Sequence, residues 1–149
     1  MAENLKVMIL DDEDVIRENL VAYLEDEGFN LVQFSNAEDA LEYIQNNSID
    51  VGVIDIRLPG IDGDQFILKA FEIDKEIKFI IYTGSATPML TEELKAIGLT
   101  AEEVFLKPVN DMADFSKVIS RLGVEKKQLY WANFNVINKS VDRIWKNVL

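Results

Sequence analysis

Polar side chains follow four apolar segments of the chain, at the point where each segment ends. Asp11 and Asp12 follow the first segment, and three later segments end in Asp55, Thr83 and Lys107. A carboxylate can act as a nucleophile toward phosphorus, and a lysine and a divalent cation can neutralise phosphoryl oxygens. If folding brings these five side chains together, they have the composition that phosphoryl transfer to a carboxylate requires.

Asp55 is the candidate acceptor. It ends the segment 50–55, which is apolar through its middle, too short for a helix, and followed by a Leu-Pro-Gly turn at 58–60. This pattern predicts a strand that is buried on both faces. Taken alone, Asp55 is more typical of an ordinary loop carboxylate. Its placement with the other strand-end groups, where an open α/β sheet binds its ligands, favours the functional interpretation.

The three carboxylates of Asp11, Asp12 and Asp55 predict a cation site. Carboxylates held close together repel one another unless a cation or protons intervene. The chain contains no cysteine and no histidine, so thiolate and imidazole ligands are excluded. Carboxylates, carbonyls and water are the ligands that Mg²⁺ and Mn²⁺ prefer. We therefore expect Mg²⁺ or Mn²⁺ at this site.

Strand and helix patterns alternate five times along the chain. Short apolar segments end near residues 10, 34, 55, 82 and 106, and each is followed by a segment with apolar residues on one helical face. This alternation predicts an α/β fold, with a parallel sheet covered by helices on both faces. The fourth helix is expected to begin at Pro88, and the fifth is expected to end at Gly123.

Composition bounds the possible functions. A chain of 149 residues is long enough for one domain with an appendage. The net charge of −12 argues against nucleic-acid binding by the main body, although residues 123–149 hold five basic and only two acidic residues. The chain has no signal peptide pattern and no apolar run long enough for a membrane span, so we expect a cytoplasmic protein that does not bind membranes.

The segment 124–149 has a helical pattern of its own. Six apolar residues recur at spacings of four, three, four, three and four: Tyr130, Phe134, Ile137, Val141, Ile144 and Val148. This is the a/d pattern of about three heptads, and Trp131 and Trp145 widen its apolar stripe. Such a stripe is expected to be buried. It could dock on its own chain, pair with a second copy in a homodimer, or link to a further domain.

The strand-end residues and their neighbours also match a known family. Over residues 5–122 the chain resembles the receiver domain of two-component response regulators. The shared motifs are Leu10-Asp11-Asp12-Glu13, the segment from Asp55 to Gly63, Tyr82-Thr83-Gly84, and Lys107-Pro108. The resemblance implies a flavodoxin-like, doubly wound, five-stranded parallel sheet in the order 2-1-3-4-5. It divides the chain into a receiver domain, residues 1–123, and a C-terminal amphipathic helical extension, residues 124–149.

The resemblance also implies the roles of the site residues. A sensor histidine kinase or a histidine phosphotransfer protein would phosphorylate Asp55. Asp12, Asp55 and the backbone carbonyl of Arg57 would hold Mg²⁺ directly, and Asp11 would act mostly through water. Thr83 would turn its hydroxyl toward the phosphoryl group, and Lys107 would form a salt bridge with it. The backbone N–H groups of Ile56 and Gly84 would complete the site, and the Lys107–Pro108 bond would be cis.

The chain would then be a switch that acts through a downstream protein effector, not an enzyme, beyond possible autodephosphorylation. One position departs from the family pattern. The aromatic residue that usually lies three positions before the lysine is replaced by Val104, and alternation along the strand directs its neighbour Phe105 to the opposite face. The usual switch, in which a threonine and an aromatic move together, is therefore not expected here.

Three other functions are open alternatives. A phosphatase with an aspartate nucleophile needs a second aspartate two residues later, where this chain has Arg57. A flavodoxin-type cofactor binder needs a hydroxyl- and glycine-rich loop after the first strand, where Asp11, Asp12 and Glu13 would repel phosphate. A receiver-like scaffold or dimerisation module that is not phosphorylated usually lacks part of the acidic and lysine set. Arg57 is also a candidate for altering the lifetime of the phosphorylated state, with a solvated loop arginine as the alternative.

Overall fold

Strands and helices alternate along the chain in the computed structural model, which describes residues 4–86 and 90–148. The strands are β1 (Lys6–Leu10), β2 (Asn30–Phe34), β3 (Val51–Ile54), β4 (Lys78–Thr83) and β5 (Val104–Leu106). The helices are α1 (Asp14–Asp26), α2 (Ala37–Asn46), α3 (Gly63–Ile73), α4 (Glu92–Ala96) and α5 (Met112–Val148), with one 3₁₀ turn at Ala101–Glu103.

The five strands form one parallel sheet in the order β2-β1-β3-β4-β5. The fold class is therefore confirmed as a flavodoxin-like α/β fold. The chain reverses its direction of winding between β1 and β3, which makes the carboxyl ends of these two strands the switch point of the sheet. The N–H of Asp55 donates to the carbonyl of Leu10 at 2.9 Å, so the ladder itself holds the end of β3 against the end of β1.

Apolar side chains fill both faces of the sheet. Alternate residues of β1 point to opposite sides, as the pleat of a strand requires. Met8 packs into the core beneath α2, α3 and α4, while Ile9 packs into the core beneath α1 and α5. All four residues of β3 are buried, so Asp55 is the first charged group after a fully apolar strand. The predicted two-sided burial of this strand is confirmed.

The prediction that the last helix ends at Gly123 is wrong. Helix α5 is a single helix of 37 residues that runs from Met112 to Val148. Gly123 is buried within it, and a Cβ at this position would clash with the side chain of Leu5. Glycine is therefore favoured here by close packing of the helix on the side chain of Leu5, not by a helix end. The boundary proposed between residues 123 and 124 is not marked by any break in the backbone.

Lys126 attaches α5 to the amino-terminal end of the sheet. Its Nζ donates to the carbonyl of Ile49 at 2.7 Å and lies 3.2 Å from the carboxylate of Asp50. We expect Lys126→Met to lower the free energy of unfolding by about 1–3 kcal/mol, because it leaves the Ile49 carbonyl without its partner. Urea denaturation measures this loss. The matched control is the exposed neighbour Lys127→Met, and an equal effect of the two substitutions would contradict the prediction.

The expected start of the fourth helix at Pro88 lies outside the described residues. The described part of α4 begins at Glu92, and Thr91 is its N-cap. The Thr91 hydroxyl accepts a hydrogen bond from the N–H of Leu94 at 3.2 Å. Such a bond satisfies one of the free N–H groups at the start of a helix.

The distal part of α5, residues 127–148, extends beyond the domain. Every side chain in this range is exposed, including Trp131 at 60 % and Ile137 at 62 %. Docking of this segment on its own α/β domain is therefore not what the structure shows. No helix in the described parts of the chain combines the length and apolar composition needed to span a bilayer.

Candidate phosphoryl-acceptor site

Three carboxylates meet at the switch point of the sheet. Asp11 and Asp12 follow β1, Asp55 follows β3, and one oxygen from each lies within 4.8 Å of the others. Asp11 and Asp55 are buried, with 2 % and 4 % of their surface exposed, whereas Asp12 is exposed. The carboxylates expected to converge are thus brought together, with Asp12 at the solvent side of the site.

Lys107 follows β5 and reaches into the same site. Its Nζ lies 2.6 Å from Oδ2 of Asp11, 3.1 Å from Oδ2 of Asp55 and 3.3 Å from Oε1 of Glu13. The side chain is only 8 % exposed. A single cation in contact with several carboxylates leaves the site with a net negative charge, so a further cation would be bound favourably.

Burial and Lys107 have opposing effects on the pKa of Asp55. Burial raises the pKa of Asp55 above its ordinary value. The charge and hydrogen bond of Lys107 and the hydrogen bond from the N–H of Arg57 lower it, but by less. Burial alone would lower the pKa of Lys107, but the hydrogen bond and charge of Asp11, followed by those of Asp55, raise it. Lys107 is therefore a permanent cation beside a poorly solvated carboxylate.

The donor set fits a hard divalent cation. Both oxygens of Asp11 are engaged, one by the N–H of Glu13 at 2.9 Å and the other by Lys107. Both oxygens of Asp55 accept hydrogen bonds as well, from the N–H of Arg57 at 3.1 Å and from Lys107. Within residues 4–86 and 90–148, no donor binds the carboxylate of Asp12. Asp12 can therefore offer both oxygens to a metal.

Thr83 and Arg57 lie on the β4 side of the site. Thr83 ends β4 and is fully buried, and its hydroxyl accepts a hydrogen bond from the N–H of Ser85 at 3.3 Å. The Arg57 guanidinium reaches the Ser85 hydroxyl at 3.4 Å, and the residue is exposed. Arg57 thus contributes its backbone N–H to Asp55, while its side chain bridges toward the loop after β4.

Arg17 supports the site, although no pattern in the sequence singled it out. From α1 it donates to the backbone carbonyl of Asp11 at 2.7 Å, to Asp14 at 2.7 Å and to Gln33 at 3.0 Å. The Arg17 side chain is 11 % exposed. It therefore fixes the loop that carries Asp11 and Asp12. The only signal in the sequence is the (i, i+3) spacing of Asp14 and Arg17, which is common on helix surfaces.

Gly63 lets α3 begin directly against the end of β3. Its N–H donates to the carbonyl of Ile56 at 2.9 Å, and a Cβ here would overlap the backbone carbonyl oxygen of Asp55. We expect Gly63→Ala to lower the free energy of unfolding by about 3 kcal/mol, because a backbone atom cannot rotate away as a side chain can. Chemical denaturation tests this. Gly84→Ala is the control, since a Cβ at Gly84 meets no atom of the described residues within 4 Å; equal losses would refute the prediction.

The aromatic residues near the site follow the predicted alternation. Val104 packs on the side of α2, α3 and α4, whereas Phe105 packs on the side of α1 and α5, where its ring lies 4.8 Å from that of Phe115. Tyr82 also contacts Phe115. The Nζ of Lys107 lies 5.4 Å from the centre of the Tyr82 ring. The peptide bond between Lys107 and Pro108 is cis, as expected.

Comparison with known proteins agrees with this arrangement. The family model of the response regulator receiver domain matches residues 7–119. The regulatory protein VanRc of Enterococcus gallinarum is 26% identical over 144 residues, which are 97% of this chain and 59% of that protein. The sporulation initiation phosphotransferase F of Bacillus subtilis is 30% identical over 105 residues, which are 70% of this chain and 83% of that protein.

Solved structures show the same likeness. The response regulator protein TrrA of Thermotoga maritima, in complex with Mg²⁺ and BeF, has a TM-score of 0.70 and 26% identity, and the match covers 79% of this chain and 98% of that one. A CheY-like receiver domain protein of Methanospirillum hungatei has a TM-score of 0.70 and 26% identity, and the match covers 85% of this chain and 98% of that one. The chain spans about half the length of the curated relatives that it matches, namely 59% and 47% of two of them.

Proposed function

Because the chain belongs to the family of response regulator receiver domains, we propose that it accepts a phosphoryl group on Asp55 as the switch of a two-component phosphorelay. Membership of this family makes the chain a two-component signalling module. The observation that supports Asp55 as the acceptor is its position. It is a buried carboxylate at the switch point of the sheet, with Lys107 at 3.1 Å and two further aspartates beside it.

The proposed transfer is a substitution at phosphorus. An oxygen of Asp55 attacks and forms the new P–O bond, while the bond from phosphorus to the nitrogen of a donor phosphohistidine breaks. Lys107 stays protonated and neutralises the transferred oxygens, for which its present contact with Asp55 positions it. Thr83 ends the adjacent strand, and we assign to its hydroxyl a hydrogen bond to the phosphoryl group. A bound divalent cation would supply charge neutralisation.

We assign the metal to Asp12, Asp55 and the backbone carbonyl of Arg57, with Asp11 contributing through water. The carboxylate of Asp12, to which no donor binds within the described residues, supports Asp12 as a direct ligand. The roles of Asp11 and Asp55 are assigned by resemblance to the family. Mg²⁺ is preferred because it keeps several waters and takes few protein ligands. That Arg57 alters the lifetime of the phosphorylated state stays a hypothesis.

The proposed partners are a histidine kinase or phosphotransfer protein as donor and a downstream protein as effector. Receiver domains are in general signalling modules that do not catalyse a reaction on another substrate, so we propose no such activity for this chain. Val104 cannot provide an aromatic ring that follows Thr83, so the signal would leave the site by another movement of β4, β5 and α4.

The proposed function is tested with a small phosphodonor such as acetyl phosphate. Intact-protein mass spectrometry should show one phosphoryl adduct in Mg²⁺ and none when EDTA replaces the metal. The adduct should hydrolyse rapidly in alkali, as an acyl phosphate does. If wild-type protein takes up no phosphoryl group in Mg²⁺, from the small donor or from a phosphorylated histidine phosphotransfer domain, the chain is a scaffold that is not phosphorylated.

A further inference from the structure

The distal segment of α5, residues 127–148, carries an unpartnered apolar seam. The seam consists of Tyr130, Phe134, Ile137, Val141, Ile144 and Val148, all between 42 % and 70 % exposed. Trp131 and Trp145 lie beside it and are each 60 % exposed. We propose that this seam pairs with the same seam of a second copy, with the two helices antiparallel.

The spacing of the seam fits a second copy of itself. The spacings of four, three, four, three and four read the same in both directions. In an antiparallel pair, Tyr130 therefore meets Val148 of the second copy, Phe134 meets Ile144, and Ile137 meets Val141. Each layer then combines a larger residue with a smaller one, which gives a core of even width. Parallel pairing would place Tyr130 against Tyr130 at one end and valine against valine at the other, which packs unevenly.

The residues that flank the seam favour the same orientation. On one side, at the heptad e positions, lie Trp131, Asn138 and Trp145. On the other side, at the g positions, lie Asn133, Ser140 and Asn147. Antiparallel helices face e with e and g with g, so Trp131 meets Trp145 of the second copy while the polar residues meet one another. Parallel helices pair each g residue with the e residue five positions later, which would place Trp145 against Ser140 and keep the tryptophans apart. No flanking position carries a charge, so self-pairing causes no repulsion.

The position of the α/β domain also opposes parallel pairing. Ser116 and Gly123 lie fourteen and seven residues before Tyr130, and positions seven apart share a helical face. Both are buried against the domain. One row of the seam, the row of Tyr130, therefore continues one row of the face on which α5 already packs. Tyr130 also lines a groove of about 320 Å³ with Asp74 and Glu76 at the base of the domain. A parallel partner that continued upstream would collide with this domain. An antiparallel partner leads away from it.

The seam is large enough for a stable pair. Four aromatic and four aliphatic side chains, each roughly half exposed, would bury on the order of 700 Å² per copy. Two copies would then bury about 1,400 Å², within the range of specific protein interfaces. Pairing would thereby bury the apolar side chains of the distal segment. The two acceptor sites would lie at opposite ends of the dimer.

Sedimentation of the full chain tests whether the seam forms a dimer. Wild-type protein should be dimeric, and Ile137→Asp should weaken the dimer by roughly 100-fold or more in Kd, because each copy would bury a charge. The control is Val136→Asp. Val136 is equally exposed, at 64 % against 62 % for Ile137, but it lies off the seam. A monomeric wild-type chain, or equal effects of the two substitutions, overturns the proposal.

Single cysteines test the orientation, since the chain contains none of its own. In the antiparallel pair Asn138 lies near the two-fold axis, so Asn138→Cys should form an intermolecular disulfide under mild oxidation. Ile144→Cys should not, because the two copies of residue 144 would be about 15 Å apart along the axis. The reverse pattern indicates parallel helices and overturns the proposed orientation. Phosphorylation of Asp55 is measured separately, so failure of the dimer is distinguishable from failure of the proposed function.

Discussion

Replacing Asp55 with asparagine is expected to abolish phosphoryl transfer to the protein. The amide of asparagine is not a nucleophile toward phosphorus, so we expect at least a 100-fold loss of adduct in Mg²⁺ with a small phosphodonor. Intact-protein mass spectrometry measures it. Asp26→Asn, at the exposed end of α1, is the control and should be labelled as the wild type is. Equal labelling of Asp55→Asn and wild type would place the acceptor elsewhere.

The same substitution should not weaken the metal-free fold. Burial raises the pKa of Asp55, so the folded state disfavours the ionised carboxylate. A raised pKa of an acid means that the folded state binds the proton more tightly. The wild type therefore loses stability as the pH rises from the unfolded pKa, near 3.8, to the folded pKa. Urea denaturation in EDTA should therefore show that the free energy of unfolding of Asp55→Asn rises relative to that of the wild type across this pH interval. The opposite trend would contradict the assigned cause.

Replacing Lys107 with methionine should strongly destabilise the metal-free protein. Lys107 is the cation that contacts Asp11 and Asp55, and removing one partner of a buried ion pair typically costs about 3 kcal/mol. The folded pKa of Lys107 is raised, so its contribution is fully present below its ordinary pKa of 10.5 and is lost only at higher pH. The loss should therefore appear in full at pH 7, in chemical denaturation with EDTA.

A cation should partly replace the missing lysine. We expect Mg²⁺ to stabilise Lys107→Met more than it stabilises the wild type, because the aspartates are then uncompensated. Phosphoryl acceptance should fall in the same variant, since the transferred oxygens lose their neutralising partner. Lys95→Met is the control, because Lys95 forms an exposed pair with Glu92 that is worth at most about 1 kcal/mol. If the two substitutions cost the same, Lys107 does not hold the site together.

The sequence by itself determined the sheet and the convergence of the chemical groups. Short apolar segments that alternate with amphipathic ones have few solutions other than a parallel sheet covered by helices. In such a sheet the residues that follow β1, β3, β4 and β5 must lie at one edge. The placement of Asp11, Asp55 and Lys107 followed from this rule alone. The opposite orientations of Val104 and Phe105 followed from the period of a strand.

Only the tertiary structure decided which glycines and cations hold the parts together. Gly123 has the sequence signature of a helix end, yet it lies inside α5 because the helix packs against Leu5. Gly63 and Arg17 act through backbone carbonyls, at Asp55 and Asp11, and contacts of this kind leave no periodic signal. Lys126 meets Ile49, 77 positions away, only after the sheet has formed. Hydrophobic periodicity reports which face of an element is buried, whereas these contacts depend on distances between atoms that folding alone brings together.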